Sequence, residues 1–137
     1  MSLFNVFDTA GSAMSAQTVR MNVTSSNLAN AGSVSGNPDR VYRARQPVFS
    51  SFSDALNSQS GSAGVRLERI VESNAPLATR YQPDHPEANS HGYVYVSNVN
   101  TVEEMVNMIS ASRSYKNNVE IINTTKDLLT QTLSLGR

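Results

Sequence analysis

The stretch VEEMVNMISASRSYKNNVEIINTTKDLLTQTLSL, residues 102–135, decides how the chain is read. Its apolar positions recur every three or four residues, along Met105, Met108, Ser112, Tyr115, Val119, Ile122, Lys126, Leu129 and Leu133. That spacing is one face of an α-helix. A second, looser row runs through Val102, Val106 and Ile109, then Ile121, Leu128 and Leu135. Thr101 followed three residues later by Glu104 has the form of a capping box, with Thr101 as the expected N-cap. Glu103 and Glu104 also suit the positive end of the helix dipole. At about 1.5 Å per residue the helix is ~50 Å long, more than a small middle region can cover. Two apolar faces imply two sets of partners, one inside the chain and one among other subunits.

The other end of the chain carries a similar signal. Residues 3–31 space Phe4, Phe7, Gly11, Met14, Thr18, Met21, Ser25 and Leu28 as a second helical stripe, diluted by small residues. Gly11 and Ser25 are expected to allow close backbone approach, at some cost in helix propensity. Asp8 and Arg20 are the only charges in those residues, and the remaining faces are Asn, Ser, Thr, Gln and Ala. A solvated monomeric helix carries more charge, so this one is expected to lie among other helices. Asn30, Ala31 and Gly32 end it, with Gly32 in the left-handed cap conformation.

Between the helices the pattern changes to alternation and turns. Residues 42–49 read as a strand made bent or edge-like by Pro47. Residues 50–64, with six serines and two glycines, read as a mobile loop. Val65, Leu67 and Val71 alternate with Arg66, Glu68 and Glu72, as in a half-buried strand. A loop over 83–92 leads into Tyr93, Val94, Tyr95 and Val96, a strand by composition. The expected fold is α+β: terminal helices paired as a coiled coil, with a small β-rich middle. Residues 1–32 with 100–137 form the helical core domain, and 33–99 an outer β-rich region.

Composition narrows the function. Hydrophobic residues make up 39% and charged residues 16% of the 137, against roughly 45–50% and 25% in ordinary domains. Such a chain is too polar for a large private core and too weakly charged for typical disorder. Eleven basic and eleven acidic residues cancel without a basic run, which argues against nucleic-acid binding. There is no cysteine, so thiolate chemistry and disulfides are excluded. The first residues lack Lys, Arg and a long apolar run, so neither a Sec-type signal nor a membrane-spanning helix is expected. The first helix also lacks the Lys/Arg-rich face of a membrane-surface helix.

Asp84, His85 and His91 are the one cluster that resembles a site. Helical metal sites place two His at i and i+4, whereas these are six apart in a loop with Pro83, Pro86 and Gly92. Turn geometry explains the same residues, and no nucleophile elbow, phosphate loop or carboxylate pair occurs. No catalysis, cofactor or metal is expected. The competing classes are a metal-binding or enzymatic module on His85 and His91, or a soluble partner-binding adaptor.

Residues 13–17, 20–23 and the run Ser25-Ser26-Asn27-Leu28-Ala29-Asn30-Ala31 resemble the amino-terminal signature of flagellar axial proteins. Asp84-His85-Pro86, Gly92-Tyr93-Val94, Asn98-Val99-Asn100, Glu104-Met105-Val106, residues 110–115 and the closing residues 132–136 resemble the flagellar basal-body rod protein family in particular. Ser97 departs from that pattern, which places Pro there. The resemblance implies a structural subunit of the proximal rod, the hollow shaft that crosses the periplasm, transmits torque and encloses an export channel. It implies export without a cleaved signal by the flagellar type III apparatus. The implied partners are further copies, other rod proteins and the protein joining motor ring to rod. Phe4, Phe7, Met14, Met21, Asn27, Leu28, Asn30, Met105, Ile109, Tyr115, Val119, Ile122, Leu129 and Leu133 are the expected subunit-packing residues. The free monomer is expected to be incompletely ordered at its ends, with assembly completing burial.

Overall fold

The structure is a computed structural model that describes residues 3–53 and 63–136. Its elements are α1 (Leu3–Ala29), β1 (Val34–Ser35), β2 (Arg45–Ser53), β3 (Ala63–Glu72), β4 (Ala78–Tyr81), β5 (Tyr93–Val96) and α2 (Thr101–Leu135). The fold is α+β, two long helices with two small antiparallel sheets. One sheet has the order β1-β5-β4; the other is the β2–β3 hairpin. Much of the expected 50–64 loop lies outside the described residues. Its flanks do not read as loop, since β2 continues to Ser53 and β3 begins at Ala63.

α1 is the middle layer. α2 packs along one side of it and the hairpin lies on another. The helices are antiparallel: Ser97 N–H donates to Ser33 C=O just outside both, at 3.2 Å, and Arg20 Nη2 donates to Asn107 Oδ1 at 3.3 Å. The hairpin runs along α1, held at one end by Asn27 against Arg45 and near the other by Val65 N–H donating to Ser12 Oγ at 3.2 Å. Fifteen residues of helix and seven of strand both span roughly 22 Å, so the two segments match in length.

Helix ends differ from the sequence expectation by small, explicable steps. The N-cap of α2 is Asn100 rather than Thr101: its Oδ1 accepts from the N–H groups of Val102 and Glu103, at 3.1 and 3.4 Å. Asn100 is extended, at φ −91° and ψ 105°, and its short amide reaches back into the first turn. Thr101 is already helical. α1 closes at Ala29 with tight turns, Ala31 N–H bonding to Leu28 C=O and Ser33 N–H to Asn30 C=O. Gly32 does not adopt the left-handed conformation; among the described residues only Gly92 does, at φ 78°. Tight backbone turns and Asn30 Nδ2, which donates to Ser26 C=O, satisfy carbonyls that a left-handed cap would otherwise take.

The hairpin is less buried than alternation suggested. Val65, Leu67 and Ile70 are all exposed, because a two-stranded ribbon resting on one helix has no second layer over its outer face. The register slips between Val48 and Phe49, where Glu68 is the extra residue of a bulge. Ser97 has its own physical reason. It is buried, its N–H serves Ser33, and its Oγ accepts from Val99 N–H at 3.4 Å. A proline could make neither bond.

Candidate subunit interface

The seam between the helices is built from small and polar residues. On α1, Ala10, Thr24 and Asn27 are buried, and Arg20 lies on the same row. On α2 the buried residues are Glu104, Ala111 and Thr125. Both seams fall one residue before the stripes drawn through the large side chains. Gly11 and Ser25, expected at a close approach, are exposed, and a Cβ on Gly11 would meet nothing within 4 Å. Alanine and threonine at the seam let the two backbones approach, which moves the large residues to its flanks. A second buried row on α1, Ala16 and Val23, faces the hairpin, where Val23 borders Arg45 and Ile70.

The expected packing residues therefore divide. Phe7, Met14, Met21, Leu28, Asn30, Tyr115, Val119, Ile122 and Leu129 are half-buried. Met105, Ile109 and Leu133 are exposed, and so are Val102, Val106, Ile121, Leu128 and Leu135, from 46% for Ile121 to 88% for Leu135. Phe4 lies in α1, with a side chain outside the described residues. At about 100° per residue, Val102, Met105, Val106 and Ile109 cluster on the face of α2 opposite Ala111. Ile121, Leu128 and Leu135, seven residues apart, make a separate row.

Asn27 has an internal task that its place in a motif did not disclose. It is 1% exposed. Its Nδ2 donates to Arg45 C=O and its Oδ1 accepts from Arg45 N–H, both at 2.9 Å. The same oxygen accepts from Tyr42 O–H at 2.9 Å. The amide therefore bonds to β2 much as a neighbouring strand would. Asn98 acts similarly across the hairpin root: Oδ1 accepts from Ala44 N–H at 2.8 Å, and Nδ2 donates to Ala75 C=O at 3.0 Å. Arg43 Nη1 adds longer bonds to Ser73 and Ala75 C=O. Nothing in residue type alone distinguishes these amides from the many surface asparagines. The one available signal is that two of them flank the helix ends.

The histidine loop is a set of turns. His85 Nδ1 accepts from Glu87 N–H at 3.1 Å, and Asn89 Oδ1 accepts from the N–H groups of His91 and Tyr93 at 3.0 Å. Among the described residues no group of three or more His, Cys, Asp or Glu could hold a metal ion. No described helix is long and apolar enough to cross a membrane. A cleft of about 340 Å³ between α1, β2 and α2 is lined by Phe49 and by charges of both signs, Arg20, Arg45, Glu103 and Glu104.

Comparison with known proteins assigns this arrangement. Residues 7–36 match the family model "Flagella basal body rod protein", and residues 90–135 match "Flagellar basal body rod FlgEFG protein C-terminal". The chain is 50% identical over 139 residues to the flagellar basal-body rod protein FlgC of Yersinia enterocolitica, covering all of both chains. The chain belongs to the flagellar basal-body rod protein family. Similarity to the rod protein FlgC of Salmonella typhimurium is 49% over 137 residues, again across both full lengths. For that of Buchnera aphidicola from Acyrthosiphon pisum it is 44% over 138 residues, or 99% of each chain. This rod protein is a structural component of the flagellar basal body and not an enzyme. The matched segments contain α1 from Phe7 onward and all of α2, the two elements that carry the exposed and half-buried apolar rows.

Proposed function

We propose that this rod protein is a subunit of the proximal rod, where its two helices pack among those of neighbouring subunits into the wall of a hollow shaft. Residues 1–32 with 100–137 act as the axial core domain, paired as an antiparallel coiled coil, and 33–99 form the outer region. Neighbours are further copies, other rod proteins and the protein that joins motor ring to rod. The chain reaches them through the flagellar type III export apparatus without signal cleavage, and the shaft encloses the channel while transmitting torque.

The observation that carries this is the inversion of burial on α2. Alanine, threonine and glutamate are buried in the seam, while eight large apolar side chains stay exposed. Burying them releases on the order of 10 kcal/mol per chain, before the costs of ordering and association. Met105, Ile109 and Leu133 then contact neighbours directly, together with the exposed flanks of Phe7, Met14, Met21, Leu28, Tyr115, Val119, Ile122 and Leu129, and Phe4 joins them as a packing residue. Asn27 and Asn30 contribute by fixing the helix end and hairpin from which those surfaces are presented. Electron microscopy of isolated basal bodies, with this chain labelled, tests the assignment. Label in the proximal shaft is the expected result, and its absence from the rod rejects the proposal.

A further inference from the structure

Among the described residues, the hairpin has one stretch of strand edge without a guarding residue. Ser73 N–H bonds to Ala44 C=O across the root, and Val65 N–H leaves the ladder for Ser12. With the observed register, these two bonds fix which backbone groups point out of the ribbon. On the β2 side the outward residues are Arg45, Pro47 and, past the bulge, Phe49, Ser51 and Ser53. Arg45 is already taken by the Asn27 amide, and Pro47 has no N–H to offer. At the other end of the hairpin it is the β3 edge that leans on α1, through Ser12, while Phe49 on the β2 side still borders the cleft shared with α1 and α2. Among the described residues, Ser51 and Ser53 therefore present an open edge, and residues 46–53 carry no charge. Natural proteins guard such edges with Lys, Pro or a bulge, and this chain does so only up to residue 48.

The sheet β1-β5-β4 supplies a matching edge. β4 is its outer strand, and Gln82 N–H donating to Gly92 C=O sets the phase of the β4–β5 ladder. Thr79 and Tyr81 consequently point their backbone groups outward. Their spacing of two residues, about 6.6 Å, equals that between Ser51 and Ser53. β4 brings a single charge, Arg80, against an uncharged strand, so no like charges meet. Exposed aromatic rings lie on both sides, Phe52 at 42% and Tyr81 at 62%. A hollow helical assembly requires heterologous contacts, in which two different surfaces of one chain meet. We propose that the β2 edge at residues 51–53 pairs with β4 of a second copy of this chain, making one sheet that continues from subunit to subunit outside the helices.

The inference rests on assembly into a rod, and the test separates the two. Because the chain has no cysteine, Ser51→Cys and Thr79→Cys can be placed in one chain, with Ser51→Cys and Tyr81→Cys as a second register. Oxidised basal bodies should then yield a ladder of multimers from at least one pair, and none from any of the three single variants. Dimers from Ser51→Cys alone mean that β2 pairs with itself and overturn the proposal, as does well-formed rod without cross-links. Wild-type chain provides an independent readout. The amides of Ser51, Thr79 and Tyr81 should exchange about tenfold more slowly, or slower still, in assembled rod than in free chain. Unchanged exchange in rods that contain the chain rejects edge pairing alone, whereas absence of the chain from rods rejects the rod assignment.

Discussion

Replacing Asn27 by alanine removes the one side chain that holds α1 to the hairpin root through three bonds. Arg45 N–H and C=O and the Tyr42 hydroxyl all lose a partner at 2.9 Å. A buried polar group left without a partner costs about 1–3 kcal/mol. Tyr42 retains a contact with Ser26 Oγ at 3.2 Å, so its loss is at the low end. The N–H and C=O of Arg45 both lose the amide that serves them. A loss of about 3–4 kcal/mol follows, a large share of the stability of a small domain. Asn27→Asp should do no better. It keeps the acceptor but sets a carboxylate oxygen against Arg45 C=O, and it introduces a charge at a site 1% exposed. Urea unfolding of purified chain followed by circular dichroism gives the stability change. Hydrogen exchange shows where it falls: amides of β2 and β3 should lose protection before those at the middle of α2. An Asn27→Ala chain within about 0.5 kcal/mol of wild type, with hairpin protection intact, would refute the role assigned to this amide.

Ile109→Asp alters an exposed residue, so the isolated chain should unfold within about 0.5 kcal/mol of wild type while motility and rod assembly are lost; normal swimming counts against the packing assignment. Leu28→Asp and Ile122→Asp, at half-buried flanks, should likewise abolish assembly while expression persists, as read from swimming plates and immunoblots. Asn100→Ala removes the observed cap and should cost about 1 kcal/mol, whereas Thr101→Ala should cost less, an order that reverses if the cap is Thr101. Gly92→Ala is strained both by φ of 78° and by a Cβ that would sit 2.9 Å from Tyr81 Cε2, and should lower stability by about 1–3 kcal/mol. His85→Ala with His91→Ala should leave motility intact and shift the melting temperature only slightly; loss of a bound metal in elemental analysis would revive the metal-site alternative.

Much of the architecture is legible in the sequence because two long helices announce themselves by period. The 3.6-residue repeat of α2 and its capping region locate the helix to within a residue, and Tyr93–Val96 forms the strand its composition suggests. What the sequence does not disclose is which residues meet. A stripe drawn through Met105, Val119 and Leu133 follows hydrophobicity, but close helix approach selects Ala111 and Thr125, one position earlier, and pushes the large residues aside. Serine content likewise made residues 50–53 look like a loop, although pairing across the hairpin overrides the weak strand propensity of serine. Asn27 was visible as a motif residue, but its bond to both backbone groups of Arg45 depends on a contact eighteen residues away. Local pattern cannot carry that information.

The two asparagine amides at the hairpin root have a mechanical meaning. Asn27 projects from the end of one helix and Asn98 from just before the start of the other, and each holds the backbone at the hairpin root. The ribbon therefore has no swivel at its base, and its azimuth is locked to the helix pair. In a rod built from such subunits, the outer layer keeps phase with the inner wall and adds no slack when the assembly is twisted.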